Sequence, residues 1–301
     1  MQQAENIRRA RALIVVAAVM WSTSGFFAKA PLFAAWPVES RGLILAFWRA
    51  VFAGIFLLPF VRRPRFHWGL VPATLIFAAM NVTYLNAMAR TTAANAIWLQ
   101  YISPAWVFIL GVIFLKETAT RRDVSMLLMA TLGVGFILAM ELAHTDSTGS
   151  SLIGVYWGLS SGVLLALVIL SLRMLREFDA VWLIALNHLV TAALVAFYVV
   201  PRYDAPTPKQ LGWLFCFGVF QMGTPYVLFA KGVRTLPGHQ ASFLLLLEPL
   251  LVPVWVWLAW RDHPEYVSPS WWTFVGGALI LTGLIVCYAR LPDSGRRRMT
   301  D

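Results

Sequence analysis

Apolar runs of about 20 residues recur along the whole chain, and each is long enough to cross a bilayer core as a helix. Of all residues, 59% are hydrophobic and 13% are charged, whereas a soluble domain carries about 25% charged residues. In lipid a helix bonds every backbone group within its own segment. The sequence therefore predicts an all-α integral membrane protein. We place ten spans at residues 11–30, 42–61, 69–88, 93–115, 123–142, 152–172, 181–200, 211–231, 240–260 and 271–290.

A ten-residue stretch that ends in proline occurs twice, at an offset of about half the chain. Residues 95–104 correspond to residues 240–249, which lie 145 positions further on. We therefore divide the chain into two five-helix repeats, residues 1–145 and 146–301. Because five is an odd number, the second repeat must enter the membrane from the opposite side. Inverted repeats of this kind are typical of secondary transporters.

Positive charges are distributed unevenly between the two sides of the membrane. Because positive residues accumulate on the cytoplasmic side, we expect both termini in the cytoplasm and the chain in a bacterial inner membrane. The net charge of +10 then reports topology, and no nucleic-acid partner is expected. The basic residues on the side of the termini are Arg8, Arg9, Arg11, Arg62, Arg63, Arg65, Lys116, Arg121, Arg122, Arg173, Arg176, Lys231, Arg234, Arg290, Arg296, Arg297 and Arg298.

Polar residues inside the spans are the candidates for substrate contact, because they are costly in lipid and usually face a cavity or the protein interior. In the third and fourth spans, amides share helical stripes with aromatic rings. Rings suit an apolar part of a solute and amides suit a polar headgroup. Packing is the alternative role for each ring. The candidate substrate-binding residues are Asn81, Tyr84, Asn95, Trp98, Tyr101, Gln221 and Tyr226.

Glu248 is the one carboxylate that the predicted topology places inside a span. Since desolvation disfavours a charged carboxylate, Glu248 is the candidate for proton coupling; a structural group beside the Pro249 kink is the alternative. Pro104 and Pro249 each remove a backbone hydrogen bond, which makes them candidate gating kinks or static packing features. Arg49 is interpreted as structural, either pairing with helix carbonyls or reaching towards an interface.

Several short motifs follow one another in a fixed order in both halves. They are Trp21-Ser22, Arg49, Tyr84 with Ala87, Ala94 to Pro104, Lys116-Glu117 and Gly133, then Glu248-Pro249, Arg261-Asp262 and Gly277 to Gly283. In this order they resemble the drug/metabolite transporter superfamily, specifically its ten-helix exporters with two EamA-type repeats. Within it the chain looks most like the YddG-type exporters of aromatic and other amino acids. The resemblance implies that spans 1, 3, 4, 6, 8 and 9 surround a central cavity.

These observations predict a secondary transporter that exports small metabolites, with aromatic or other hydrophobic amino acids as the best candidates, by alternating access. No enzyme activity and no cofactor are expected, because the sequence holds no metal cluster and no Gly-rich phosphate loop. A monomer can provide this architecture. A passive facilitator and a multidrug exporter of lipophilic cations are the alternatives.

A remote alternative comes from a different class of protein. Gly158-Leu-Ser-Ser-Gly162 matches the G-x-S-x-G pattern of serine hydrolases, and His188 lies on the next span. An intramembrane serine protease would need Ser160 and such a histidine as a dyad. The same five residues also match G-x-x-x-G, a close-packing face between membrane helices.

Overall fold

A computed structural model of the chain describes residues 2–116, 118, 120–144, 150–236 and 238–288. Within these residues every regular element is helical, and ten helices are long and apolar enough to cross a membrane. The predicted all-α fold with ten spans is therefore confirmed. Glu117 and the arginines from Arg290 onwards lie outside the described residues.

The ten spans agree with the predicted ones to within four residues at each end, except that α1 begins nine residues before the predicted start at residue 11. Some of the spans consist of two or three consecutive segments. They are α1 (Gln2–Ser22 and Ser24–Ala28), α2 (Val38–Leu57), α3 (Leu70–Arg90), α4 (Ala93–Gln100 and Ser103–Leu115), α5 (Arg121–Ala143), α6 (Ser150–Met174), α7 (Ala180–Val199), α8 (Pro208–Gly218, Val219–Gly223 and Thr224–Gly232), α9 (Gly238–Leu245 and Leu247–Trp260) and α10 (Trp271–Tyr288). Short 3₁₀ turns, Pro31–Phe33 and Leu58–Phe60, follow α1 and α2.

Most of the closely packed helix pairs join a helix of the first half to a helix of the second half. α2 packs against α7 and α5 against α10, so each of these pairs joins a helix to the one five places later. α3 packs against α6 while α8 packs against α1, and α4 packs against α6 while α9 packs against α1. Counting five helices onwards, and from α10 back to α1, leaves the pairs α2–α7 and α5–α10 unchanged and converts each of the other contacts into its counterpart. This pattern is the one expected of two five-helix repeats, and the division into such repeats stays a prediction. The opposite orientation of the two copies stays a prediction.

Glycines set the distance between several of these helices. A Cβ on Gly133 of α5 would lie 2.5 Å from the carbonyl oxygen of Gly276 on α10, and a Cβ on Gly42 of α2 would lie 2.6 Å from the backbone nitrogen of Asn86 on α3. Small residues allow such close approach, which matters in lipid because burying apolar surface there supplies no driving force for helix association. The backbones themselves are therefore in contact at these points.

α4 and α9 are interrupted at equivalent positions. α4 breaks at Tyr101 and Ile102, and α9 breaks at Leu246, which lies 145 positions after Tyr101. Pro104 and Pro249 fall in the first turn of the following segments, where a missing N–H group costs no intrahelical hydrogen bond. Both prolines thus lie in the first turn of a new segment near the middle of a span, and neither removes a helix hydrogen bond as the sequence predicted.

α8 contains an interruption of another kind that has no equivalent in α3. Residues Val219–Gly223 form a π-helical turn, and Pro225 follows it. Such turns inside α-helices often occur at functional sites. Gln221 lies within this turn and is buried. Its side-chain nitrogen donates to the carbonyl oxygen of Trp21, next to the interruption of α1 at Thr23.

Asp179 fixes the start of α7 and ties it to the segment that follows α2. Its carboxylate accepts hydrogen bonds from the backbone N–H groups of Val181 at 3.0 Å and Arg62 at 2.8 Å. Partial burial acts to raise the pKa of this carboxyl group, but the backbone donors outweigh that effect and hold the pKa below its usual range. Hydrogen bonds of Asp179 therefore connect the segment that follows α2 to the start of α7, in addition to the packing of the two helices.

Candidate functional site

A cavity of about 310 Å³ lies in the middle of the helix bundle, a volume within the range of small-molecule sites. It is lined by α1, α3, α4, α6, α8, α9 and α10, with one side chain from α2. It extends towards the side of the bundle that holds the termini, where Leu172, Phe229 and Tyr288 form part of its wall. All six helices that the resemblance assigned to a central cavity contribute to it.

Most of the predicted site residues meet in this cavity. Tyr84 and Tyr226 supply rings from the two halves, and Asn81 and Gln221 supply amides. Tyr84 is held in place by a 2.9 Å hydrogen bond between its hydroxyl and that of Ser24. The predicted residues that line the cavity are Asn81, Tyr84, Tyr101, Pro104, Gln221, Tyr226 and Glu248. Their roles in transport stay predictions.

Asn95 is buried in the first segment of α4 and is not among the residues that line the cavity. The Asn95 side-chain nitrogen donates to the Glu141 carboxylate at 2.8 Å, and Ser151 and Trp272 donate to the same carboxylate. Glu141 lies within α5 and is only 8% exposed. It is a second carboxylate inside a span, which corrects the expectation that Glu248 is alone. Asn95 thus joins α4 to α5 and α6.

Trp98 is also directed away from the cavity, which departs from its prediction as a substrate contact. Its indole nitrogen donates to the carbonyl oxygen of Pro249 at 2.8 Å, and its ring lies on Gly277 of α10. The ring centroid is 5.6 Å from that of Phe274. Trp98 therefore joins the first segment of α4 to α9, just after its break, and to α10.

Because Trp98 packs between helices, we expect Trp98→Ala to lower stability more than substrate affinity. Removal of a buried aromatic side chain costs about 3–5 kcal/mol. Thermal unfolding in detergent should therefore shift down by several degrees, while the KM of export stays unchanged. Trp98→Phe, which keeps most of the buried ring, should recover most of the stability. A raised KM with an unchanged unfolding temperature would instead make Trp98 a substrate contact.

Glu248 lines the cavity beside the break of α9. The Tyr101 hydroxyl oxygen lies 2.9 Å from the Glu248 Oε2 atom and 3.0 Å from the carbonyl oxygen of Leu245. Tyr101 lies at the break of α4, and Leu245 is the last residue of the first segment of α9. One hydroxyl group thus connects the two interruptions and the carboxyl group.

Arg49 is the largest departure from expectation. It is 2% exposed, lines the cavity and donates from Nη2 to the Asn81 Oδ1 atom. Within the described residues, its Nε and Nη1 atoms have no hydrogen-bond partner, and no carboxylate lies within the 4.0 Å ion-pair distance. The structural interpretation required Arg49 to pair with helix carbonyls or to reach an interface. In the described residues it does neither.

Aromatic rings compensate the Arg49 charge only in part. The guanidinium carbon lies 5.0 Å from the ring centroid of Phe217 and 6.0 Å from that of Tyr84. Such contacts contribute about 0.5–2 kcal/mol, whereas the effective cost of burying an ion is several kcal/mol. The sequence signal for a buried charge is the position of Arg49 near the middle of its predicted span, residues 42–61.

The proposed serine–histidine dyad is not joined by a hydrogen bond in the described part of the chain. The Ser160 hydroxyl donates to the carbonyl oxygen of Tyr156 in its own helix at 2.8 Å, and neither ring nitrogen of His188 has a partner there. A Cβ on Gly162 would lie 2.8 Å from the carbonyl oxygen of Leu99. The motif thus serves as the close-packing face of α6 against α4.

The end of the bundle away from the termini is closed by aromatic side chains. Three indole N–H groups from α8 and α9 donate to α1 around and beyond its interruption. The pairs are Trp255 with the Ser22 hydroxyl at 2.8 Å, Trp260 with the Phe26 carbonyl at 3.0 Å, and Trp213 with the Phe27 carbonyl at 3.3 Å. The cavity therefore extends towards one end of the bundle, and this closure lies at the other.

Known proteins share this sequence and architecture over most of the chain. An uncharacterized transporter from Archaeoglobus fulgidus is 26% identical over 291 residues, which is 94% of this chain and 97% of that protein. The pseudopaline exporter CntI from Pseudomonas aeruginosa is 26% identical over 230 residues, which is 71% of this chain and 74% of that protein. One solved crystal structure matches with a TM-score of 0.64 at 17% identity, covering 92% of this chain and 97% of that one.

The family model described as the EamA-like transporter family matches the chain twice, once in each half. The matches cover residues 9–139 and 152–289, which is most of the sequence. The ten-helix fold and the central cavity agree with this match. The chain therefore belongs to the EamA-like transporter family.

Proposed function

We propose that this membrane transporter exports small metabolites, and that amino acids with aromatic or other hydrophobic side chains are its substrates. The observation that carries the proposal is the mid-bundle cavity, in which rings and amides from both halves lie beside the breaks of α4 and α9. Substrate sites of secondary transporters lie near the middle of the membrane, between repeats and beside discontinuous helices. The relative named as a pseudopaline exporter supports the export direction.

Within this proposal, Asn81 and Gln221 hold polar groups of the solute, and Tyr84, Tyr101 and Tyr226 hold its apolar part. The basic residues near the termini support a cytoplasmic position for the end towards which the cavity extends, in a bacterial inner membrane. Bending at the breaks of α4 and α9 would close that end. Separation of the tryptophans from α1 would open the other end.

Purified protein in liposomes tests the proposal. Vesicles loaded with labelled phenylalanine, tryptophan, leucine or tetraphenylphosphonium would be followed with and without a pH gradient, beside protein-free vesicles. We expect protein-dependent efflux of the amino acids and none of the lipophilic cation. Efflux of the cation alone, or of no solute, would refute amino-acid export. Amino-acid efflux that ignores the pH gradient would indicate a passive facilitator.

A further inference from the structure

We propose that Arg49 is the receptor for an anionic group of the transported solute, so that the substrates of this protein carry a carboxylate or a similar anion. The inference rests on the proposed function, because it requires that the solute enters the central cavity. It also gives a role to α2, a helix outside the set that the family resemblance places around the cavity. Three observations lead to it.

The first observation is a group of buried donors without acceptors. In the described part of the chain, the Arg49 Nε and Nη1 atoms and the Asn81 Nδ2 atom are buried and have no hydrogen-bond partner. Arg49 already donates to the Asn81 side-chain oxygen, so the amide nitrogen is left free as a second kind of donor. Buried polar groups are normally paired. An anion with several oxygen atoms would satisfy these donors together.

The second observation is the absence of a neutralising acid beside Arg49. Glu248 lines the same cavity, but its carboxyl group contacts the Tyr101 hydroxyl, and no ion pair joins it to Arg49 within the described residues. The cavity thus holds a cation and a carboxyl group that do not pair directly. A solute with a carboxylate at one end and an ammonium group at the other fits this distribution of charge. A lipophilic cation is disfavoured by Arg49, because a like charge in a desolvated site is repulsive.

The third observation is that the receptor exists in one repeat only. In a looser alignment of α2 with α7, at an offset of 139 positions rather than 145, His188 corresponds to Arg49. Its ring centroid lies 5.0 Å from that of Phe77 and 6.3 Å from that of Tyr226, and it is not among the residues that line the cavity. A single anion receptor in the cavity would bind the solute in one orientation.

Matched ligands test the receptor on the wild-type protein. Thermal unfolding in detergent would be measured against the concentration of phenylalanine and leucine, and of phenylalaninamide and leucinamide, which keep the amine and side chain but lack the negative charge. We expect each acid to produce a given rise in unfolding temperature at a concentration at least about tenfold lower than its amide requires, as charge-assisted hydrogen bonds are lost with the amide. An equal response to acid and amide, including no response to either, would overturn the proposal.

Variants locate the effect at Arg49. Arg49→Gln should remove the preference for the acid, and Arg49→Lys should restore part of it, since lysine keeps the charge but not the planar set of donors. Arg202→Gln is the matched control, because Arg202 is exposed after α7 and its guanidinium lies over Tyr198, away from the cavity. It should keep the preference. A preference that survives in Arg49→Gln would overturn the assignment even if the variant is less stable.

Export and binding separate this inference from the proposed function. Equal export of an acid and its amide would refute the anion receptor and leave amino-acid export standing. Binding of the acid that depends on Arg49, without export of any solute, would refute the export function and leave the anion receptor standing.

Discussion

Replacement of Glu248 by Gln is expected to abolish the part of export that a pH gradient drives, while efflux down the solute's own gradient continues. The physical reason lies in the position of the carboxyl group. It lines the central cavity and lies immediately after the break of α9. A proton that binds there therefore changes the charge of the cavity and the hydrogen bonds of a helix interruption at the same time.

The Tyr101 hydroxyl makes that second effect specific. Its oxygen is within hydrogen-bond distance of both the Glu248 carboxyl group and the Leu245 carbonyl, but a tyrosine hydroxyl has one hydrogen to donate. A charged Glu248 attracts that hydrogen, because hydrogen bonds to ionised acceptors are the stronger ones. A protonated Glu248 can itself donate a hydrogen bond to the Tyr101 oxygen. The Tyr101 hydroxyl group is then free to donate its own hydrogen bond to the Leu245 carbonyl oxygen. Proton uptake thus adds a hydrogen bond at the end of the first segment of α9.

Proteoliposomes with an imposed pH gradient measure this effect. Glu39→Gln is the matched control, because it makes the same change at an exposed position in the first turn of α2, and it should behave like the wild type. Tyr101→Phe keeps the carboxyl group and removes the shared hydroxyl, so it should weaken the response to the gradient. Full retention of gradient-driven export by Glu248→Gln would exclude a proton-carrying role for this residue.

Gly133→Val is expected to prevent normal packing of α5 against α10. A Cβ at this position would lie 2.5 Å from the Gly276 carbonyl oxygen and 2.9 Å from a side-chain carbon of Ile280. The first obstacle is backbone, so it cannot rotate out of the way, and the two helices must separate. Overpacking of this kind costs typically 1–3 kcal/mol and occasionally more. We expect little folded protein in the membrane and a broadened size-exclusion peak.

Gly135→Val supplies the matched control two residues further along the same helix. A Cβ there would meet no atom within 4 Å, so added volume projects away from the protein. This variant should express and elute like the wild type. Equal behaviour of the two variants, measured by membrane yield and size-exclusion profile, would contradict close packing of α5 on α10.

The fold was predictable because its two strongest determinants are local. Runs of apolar residues define spans on their own, and Pro104 and Pro249 mark the starts of the second segments of α4 and α9, although Pro253 lies within α9 without interrupting it. The π-helical turn at Val219–Gly223 was not predicted, because no single residue type specifies it. The contact of Gly133 with Gly276 was not predicted either, since it depends on which faces of two distant helices meet.

The candidate site was less predictable because helical spacing identifies a face but not what the face contacts. In α3 the stripe of Asn81 and Tyr84 does line the cavity. In α4 the break at Tyr101 separates the preceding stripe from the cavity wall, so Trp98 packs while Tyr101 lines the cavity. In a membrane helix the packed face and the cavity face can be equally apolar. Arg49 required the structure, because only the absence of a nearby acid shows that its charge is unpaired.

Under the proposed alternating access, the three indole hydrogen bonds at one end of the bundle contribute to the stability of the closed state. Each neutral hydrogen bond contributes about 0.5–1.5 kcal/mol, so together they supply a few kcal/mol. A ligand with millimolar affinity releases about 4 kcal/mol on binding. Differential binding of one small solute is therefore of the right size to shift the balance between closed and open states. Ion pairs buried to the same depth would lock the protein or require a much larger ligand, whereas three tryptophans that donate to one serine hydroxyl and two backbone carbonyls form contacts that a metabolite can release.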